Sequence, residues 1–211
     1  GIDLSRFVKL RPPEDVKREL QIPQEAFVVG MVGRLDTQKD YPTYFSAAER
    51  VLEKYNNTYF LAVGGGPLLQ KYKDSVSKNP KLQGRVIFTG VRRDVLDLIN
   101  AMDIGILSSH YEGCPNVVME YMACSKPVVA SDVGGSVELI IDRETGFIVP
   151  EGDVKVLAER IVELLGNKDL RQLMGQKGRL RIQAHFTAQE MARKTEKLYL
   201  ELLENKNTKH Q

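Results

Sequence analysis

Two carboxylates, Glu112 and Glu120, stand with seven residues between them in the run Glu-Gly-Cys-Pro-Asn-Val-Val-Met-Glu. The first lies in a Gly/Pro loop and the second inside a short apolar helix. A carboxylate offers acceptors on both oxygens, so Glu120 can take hydrogen bonds from the two hydroxyls of a ribose. The apolar run Ile104 to Ser108 ahead of the pair reads as a strand, and Val128 to Ser131 behind it reads as the next. Both acids then sit on a strand-to-helix crossover, at the strand end where open parallel sheets dock their ligands. They can face one extended, hydroxyl-rich ligand at two points. Pro115 fits the first turn of the helix, and the amides of Asn116 and Val117 just past it would present unpaired donors to a phosphate. The plainer reading of Glu120 is a solvated helix face; no such reading accounts for Glu112 in its loop.

The elements that must position these groups follow from apolar runs alternating with helical segments, the pattern of an α/β protein on a parallel sheet. Strands are predicted at Phe27 to Val32, Tyr59 to Val63, Val86 to Thr89, Ile104 to Ser108, Val128 to Ser131 and Phe147 to Val149. Helices are predicted from Thr43 to Tyr55, Leu68 to Ser77, Asp94 to Ala101, after Pro115, and near Ser136 to Ile141. Past the sixth strand the pattern is wholly helical: Asp153 caps Val154 to Leu165, Asp169 opens a helix toward Met174, and Thr187 to Glu190 is a capping box for a helix ending near Glu204. The expected fold is a Rossmann-like three-layer α/β/α sandwich on a six-stranded parallel sheet. Residues 1–12 read as a linker-like start and 205–211 as a frayed tail.

If the sheet has the doubly wound order 3-2-1-4-5-6, strands 1 and 4 are neighbours where the order reverses, and their carboxyl ends carry Arg34 and Glu112. Arg34, following Gly33, and Lys39 can together neutralise a diphosphate, one through a fork of donors and the other as a compact charge. Two ordinary surface cations are a competing reading in a chain with 30 basic residues. Gly64-Gly65-Gly66 departs from the dinucleotide fingerprint, which belongs after the first strand, and reads as a tight turn near the ligand. Gly134-Gly135 reads as a close backbone approach at the end of the fifth strand.

Composition removes other classes. Thirty basic against 28 acidic residues, with no long basic run, leave no phosphate footprint for nucleic acid. No apolar run approaches the roughly 20 residues of a membrane span, and the start does not read as a signal peptide. Cys114 and Cys124 flank the crossover helix, poorly placed to bridge one another, and are expected to be free thiols in a reducing, cytoplasmic setting. No metal site is expected: the histidines do not cluster, and no two aspartates stand two residues apart.

Taken in order, Gly33-Arg34-Leu35 with Lys39, Gly64-Gly-Gly-Pro67, Phe88-Thr-Gly90 with Asp94-Val95, Glu112 to Glu120, Gly134-Gly135 and Thr145 to Val149 resemble the donor-binding, C-terminal domain of the retaining GT-B glycosyltransferases of family 4, also called group 1. The resemblance runs over nearly the whole chain. It implies that Arg34 and Lys39 bind the diphosphate of a nucleoside diphosphate sugar, that Glu112 lies beside the sugar with Gly113 among the donor-binding residues, and that Gly90-Val91-Arg92 contacts the base. It further implies an acceptor glycan or glycolipid held by an N-terminal domain that is absent here, since Gly-Ile-Asp at the start matches the opening of the family's second domain. Peripheral association of the full-length protein with the cytoplasmic face of a membrane is implied as well. One departure stands out: the family commonly has Gly after the lysine, where this chain has Asp40, and an Asp40–Lys39 pair would weaken the phosphate role. The competing functions are a non-catalytic nucleotide-binding module and a Rossmann-type oxidoreductase.

Overall fold

The computed structural model describes the backbone of residues 1–208 and side chains through residue 203. Six parallel strands, β1 (Phe27–Val32), β2 (Thr58–Val63), β3 (Val86–Gly90), β4 (Ile104–Leu107), β5 (Val128–Ser131) and β6 (Gly146–Val149), form one sheet in the order β3-β2-β1-β4-β5-β6. This is the doubly wound order expected. Helices cover both faces, so β4 and β5 are buried along their whole length, as parallel strands without a solvated face must be. One core joins the sheet to α2 (Tyr41–Lys54), α3 (Leu69–Ser77) and α7 (Val154–Gly166). The other joins it to α1 (Pro13–Glu19), α4 (Val95–Asn100), α5 (Asn116–Ala123) and α6 (Ser136–Leu139).

Three differences from the sequence expectation have physical causes. The linker-like start is fastened to the body: Ile2 and Phe7 are buried, and Ile2 exchanges backbone hydrogen bonds with Phe186 and Ala188. Helix α1 then follows, with Pro13 at its first position and Glu14 and Asp15 in its first turn, where an absent N–H and acidic charge are both tolerated. Helix α8 (Lys168–His185) runs far past Met174. Its Gly175 and Gly178 lower helix propensity, yet Gly175 lets it lie against the backbone at Ser125, where a Cβ would fall 2.0 Å from the carbonyl oxygen. Helix α9 (Ala188–Thr208) extends beyond Glu204 through the first part of the tail read as frayed, whose last residues, 209–211, lie outside the described ones. Thr187 does accept the Glu190 N–H at 3.1 Å, but the Glu190 carboxylate holds Arg193 instead of closing the capping box.

Among the described residues no helix is long and apolar enough to cross a membrane. Cys114 is exposed and Cys124 buried, both free, and burial pushes the Cys124 thiol up to about 12.

Tyr121 fixes α5 to the seam between β1 and β4. Its ring lies where a Cβ on Gly105 of β4 would sit, 2.4 Å away, and its hydroxyl accepts the N–H of Val32, the last residue of β1, at 2.8 Å. Tyr121→Phe would leave that N–H without its partner. Such losses cost about 1–3 kcal/mol, and urea unfolding of the variant is expected to show a loss in this range with an unchanged denaturant slope.

Candidate active site at the β1–β4 switch

β1 and β4 are adjacent and parallel, but the helices that follow them pack on opposite faces, so a crevice opens between their carboxyl ends. The loops after these strands wall it and are tied together. The His110 N–H donates to the Gln38 carbonyl and the Gln38 amide donates to the Tyr111 carbonyl, each at 2.9 Å. The Ser108 hydroxyl reaches the carbonyl oxygens of both Lys39 and Asp40 at 3.0 Å.

Across this seam the Lys39 ammonium pairs with the Glu112 carboxylate, the two side chains 16% and 8% exposed. Ser109 donates its hydroxyl to the same carboxylate oxygen at 2.6 Å. The stem of Lys39 lies along Gly33, where a Cβ would meet it at 3.3 Å. The expected meeting of the β1 and β4 ends is thus made through Lys39. Arg34 stays 70% exposed, its guanidinium 3.7 Å from Asp36.

Asp40 does not pair with Lys39. It turns inward at a left-handed φ of 47° and caps α2 by accepting the Thr43 N–H at 3.3 Å. That backbone region strongly favours glycine, so the aspartate keeps the shape a glycine would give and adds a cap. Its Oδ2 is buried without a hydrogen bond, facing His110 Nε2 at 3.9 Å, while His110 Nδ1 lies 2.7 Å from Glu151.

A third loop supports Glu112 from behind. Gly134 has φ +48°, and a Cβ there would fall 1.7 Å from the Glu112 carbonyl oxygen; the Gly135 N–H donates to the Gly113 carbonyl at 2.8 Å. The double glycine is therefore the close approach expected of it.

Helix α5 starts at Asn116, with Pro115 in the capping position one residue earlier than expected and no side chain capping the helix. Its first amides, those of Asn116 and Val117, are of the kind that anions find at a helix start. Glu120 is the one charged residue of α5, whose other side chains past Val117 are buried. It is half-buried and makes no hydrogen bond or ion pair among the described residues, so its acceptors are available. Burial raises its carboxyl above the ordinary range, with Arg6 opposing.

A cleft of about 230 Å³ over the ends of β1, β2 and β3 is lined by Gly33, Arg34, Gly64, Gly65, Val91 and Arg92, among others. Arg92 lines it, but its guanidinium is occupied by Asp94 at 2.6 and 2.7 Å and by Glu19 at 2.7 Å. That contact holds the Asp94 carboxyl below its ordinary range. The guanidinium is therefore committed within the fold, and the segment presents to the cleft its backbone and the exposed Val91. Sequence reasoning missed Ser108, Ser109 and Gln38. The two serines closing an apolar strand were the available signal.

A doubly wound domain with charged groups gathered at its switch point is a ligand-binding domain of the Rossmann-like kind. The chain belongs to the glycosyl transferases group 1, whose sequence model matches residues 13–181. It is 28% identical, over 98% of its length and 54% of the relative's, to the UDP-Gal:alpha-D-GlcNAc-diphosphoundecaprenol alpha-1,3-galactosyltransferase of Escherichia coli. Its fold matches the C-terminal domain of a group 1 family protein (LpcC) from Francisella tularensis with a TM-score of 0.80 at 25% identity, covering 89% of this chain and all of that one. Anabaena Alr3699/HepE, solved in complex with UDP and glucose, matches with a TM-score of 0.78 at 26% identity, over 87% of this chain and half of that one. These neighbours are GT-B enzymes, and the chain spans about half the length of the curated relatives it matches.

Two predictions follow from the geometry. Removing one member of a buried ion pair strands the other at a cost of about 3 kcal/mol, so Lys39→Met and Glu112→Gln should each destabilise more than the double variant does; a double-mutant cycle in urea measures the coupling. Because the raised Glu120 carboxyl holds its proton more tightly in the native state than in the unfolded chain, its ionisation removes stability as pH rises above the unfolded value of about 4.3. Glu120→Gln should therefore unfold at higher urea than wild type at pH 7 and lose that advantage below about pH 4, which urea melts across pH will show.

Proposed function

We propose that this chain holds the donor of a retaining, family 4 type glycosyltransferase: a nucleoside diphosphate sugar whose sugar passes to an acceptor hydroxyl. The observation that carries the reading is the Lys39–Glu112 pair at the switch point, beside the uncapped start of α5. A cation and backbone donors suited to a diphosphate stand next to a carboxylate suited to sugar hydroxyls. Departure of the nucleoside diphosphate builds negative charge, which Lys39, Arg34 and the amides of Asn116 and Val117 offset in a partly dry crevice. A diphosphate drawing on the Lys39 charge releases Glu112 to orient the sugar, while Glu120 accepts from the ribose. We assign no covalent glycosyl–enzyme step. Protein groups carry the charge balance in this reading, so no divalent metal is assigned; magnesium arriving with the nucleotide through water ligands would be incidental.

The acceptor belongs, in this reading, to further chain present in the longer relatives. Helix α9 supports it by exposing Met191, Leu198, Tyr199, Leu200, Leu202 and Leu203, an apolar surface for another part of the protein to cover. The 211-residue chain would then bind donor without transferring it.

UDP is the nucleotide to titrate first, since the Escherichia coli relative is a UDP-Gal galactosyltransferase and the Anabaena neighbour was solved with UDP. Calorimetry should show UDP bound more tightly than UMP, with Arg34→Ala weakening UDP about ten- to a hundredfold, as loss of a charged hydrogen bond does, and with EDTA changing neither value. Equal affinity for mono- and diphosphates across UDP, GDP and ADP, indifferent to Arg34, would end the phosphate assignment.

A further inference from the structure

At the opposite end of the sheet, where the strands begin, Lys126 precedes β5 and lies beneath α8. The helix can come this close because Gly175 lacks a Cβ, which would fall 2.0 Å from the Ser125 carbonyl oxygen. Lys126 is thereby half-buried, and among the described residues its ammonium makes no hydrogen bond or close ion pair, Asp103 acting on it only at longer range. It opens on a cavity of about 280 Å³ lined by Asp103, Ser125, Lys126, Lys168, Arg171 and Gln172, among others. Three cations face one carboxylate. Asp103 is committed already, accepting the Val28 N–H at 2.8 Å and lying 3.8 Å from Arg171. A charge drawn out of water is costly, and here desolvation draws the Lys126 amine below its ordinary range, with Asp103 and Cys124 opposing and Lys17 and Arg171 adding smaller contributions.

We propose that this cavity is a binding site for a small oxyanion of the phosphate class, held by Lys126 with Lys168 and Arg171. The chemistry of the lining selects that class. Lys126 and Lys168 supply charge, and the Ser125 hydroxyl and Gln172 amide supply neutral donors. Arg171 keeps two donors on the Leu164 and Leu165 carbonyls and is only 13% exposed, so it adds fixed positive potential to the wall. Lys168 is also the first residue of α8, whose N-terminus is already capped by Asn167 at the Leu170 N–H and carries Asp169 in its first turn, so the ion is held by side chains rather than by the helix end. Room is sufficient: one water takes about 30 Å³, so a tetrahedral oxyanion fits with its hydration. The site lies a full strand length from the Lys39–Glu112 crevice and serves no step assigned to it.

The test is inorganic phosphate, titrated into the 211-residue chain at constant ionic strength against chloride and followed by calorimetry and backbone amide shifts. Phosphate should perturb the backbone amides of Ser125, Lys126 and residues 168–172. Lys126→Met should weaken that binding about ten- to a hundredfold and should itself melt higher than wild type in phosphate-free buffer, since it removes a half-buried charge that desolvation penalises. Lys168→Ala, at an exposed position, should weaken binding without altering the phosphate-free melt. Arg34→Ala should leave these shifts in place, which separates this site from the diphosphate reading. Phosphate shifts that vanish in Arg34→Ala and persist in Lys126→Met, or a response matched by chloride, would overturn the proposal.

Discussion

The parallel pairing of β1 with β4 is the constraint from which the site follows. It places two strands side by side whose helices leave on opposite faces, so their ends splay and the loops after them share a crevice. The register leaves Lys39 facing Glu112, and the Ser108, Gln38 and His110 contacts lock one loop to the other. Tyr121 then fastens α5 beneath the same seam, and with it the helix start at Asn116 and the carboxylate of Glu120. Loss of this one pairing would scatter every group assigned to the donor.

Charge in the crevice is balanced internally. Lys39 and Glu112 neutralise each other at low exposure, a condition under which either alone is costly and the two together are tolerated. Glu120 is the reverse case, a half-buried carboxylate whose surroundings favour its neutral form. Native proteins accept such local instability at binding sites, where an unpartnered group is open to a ligand at once and a paired one must first exchange its partner. Lys126, at the other end of the sheet, poses the same imbalance with the opposite sign.

Asp40 shows how a departure from a family pattern can preserve its geometry. The residue adopts the left-handed conformation that glycine provides freely and recovers some of the strain by capping α2. Its inward turn leaves Lys39 free to cross the crevice, and its unbonded oxygen lies 3.9 Å from His110 Nε2 in the loop after β4.

Local pattern in the sequence determined the strands, since six apolar runs between helical segments admit little but a parallel sheet. The motif order identified the family, and both Glu112 and the Gly134-Gly135 approach were legible from residue type in a loop. Only the tertiary structure decided which cation meets Glu112, because Arg34 and Lys39 are equivalent along the chain and differ only in how the loop folds over Gly33. It likewise turned the Arg92 guanidinium toward Asp94 and Glu19, the latter distant in sequence. It also made a long helix of α8, whose Gly175 weakens it locally but is required where α8 meets the Ser125 backbone. Short-range periodicity is written in neighbouring residues, whereas the partner of a long charged side chain depends on contacts that exist only once distant loops have been brought together.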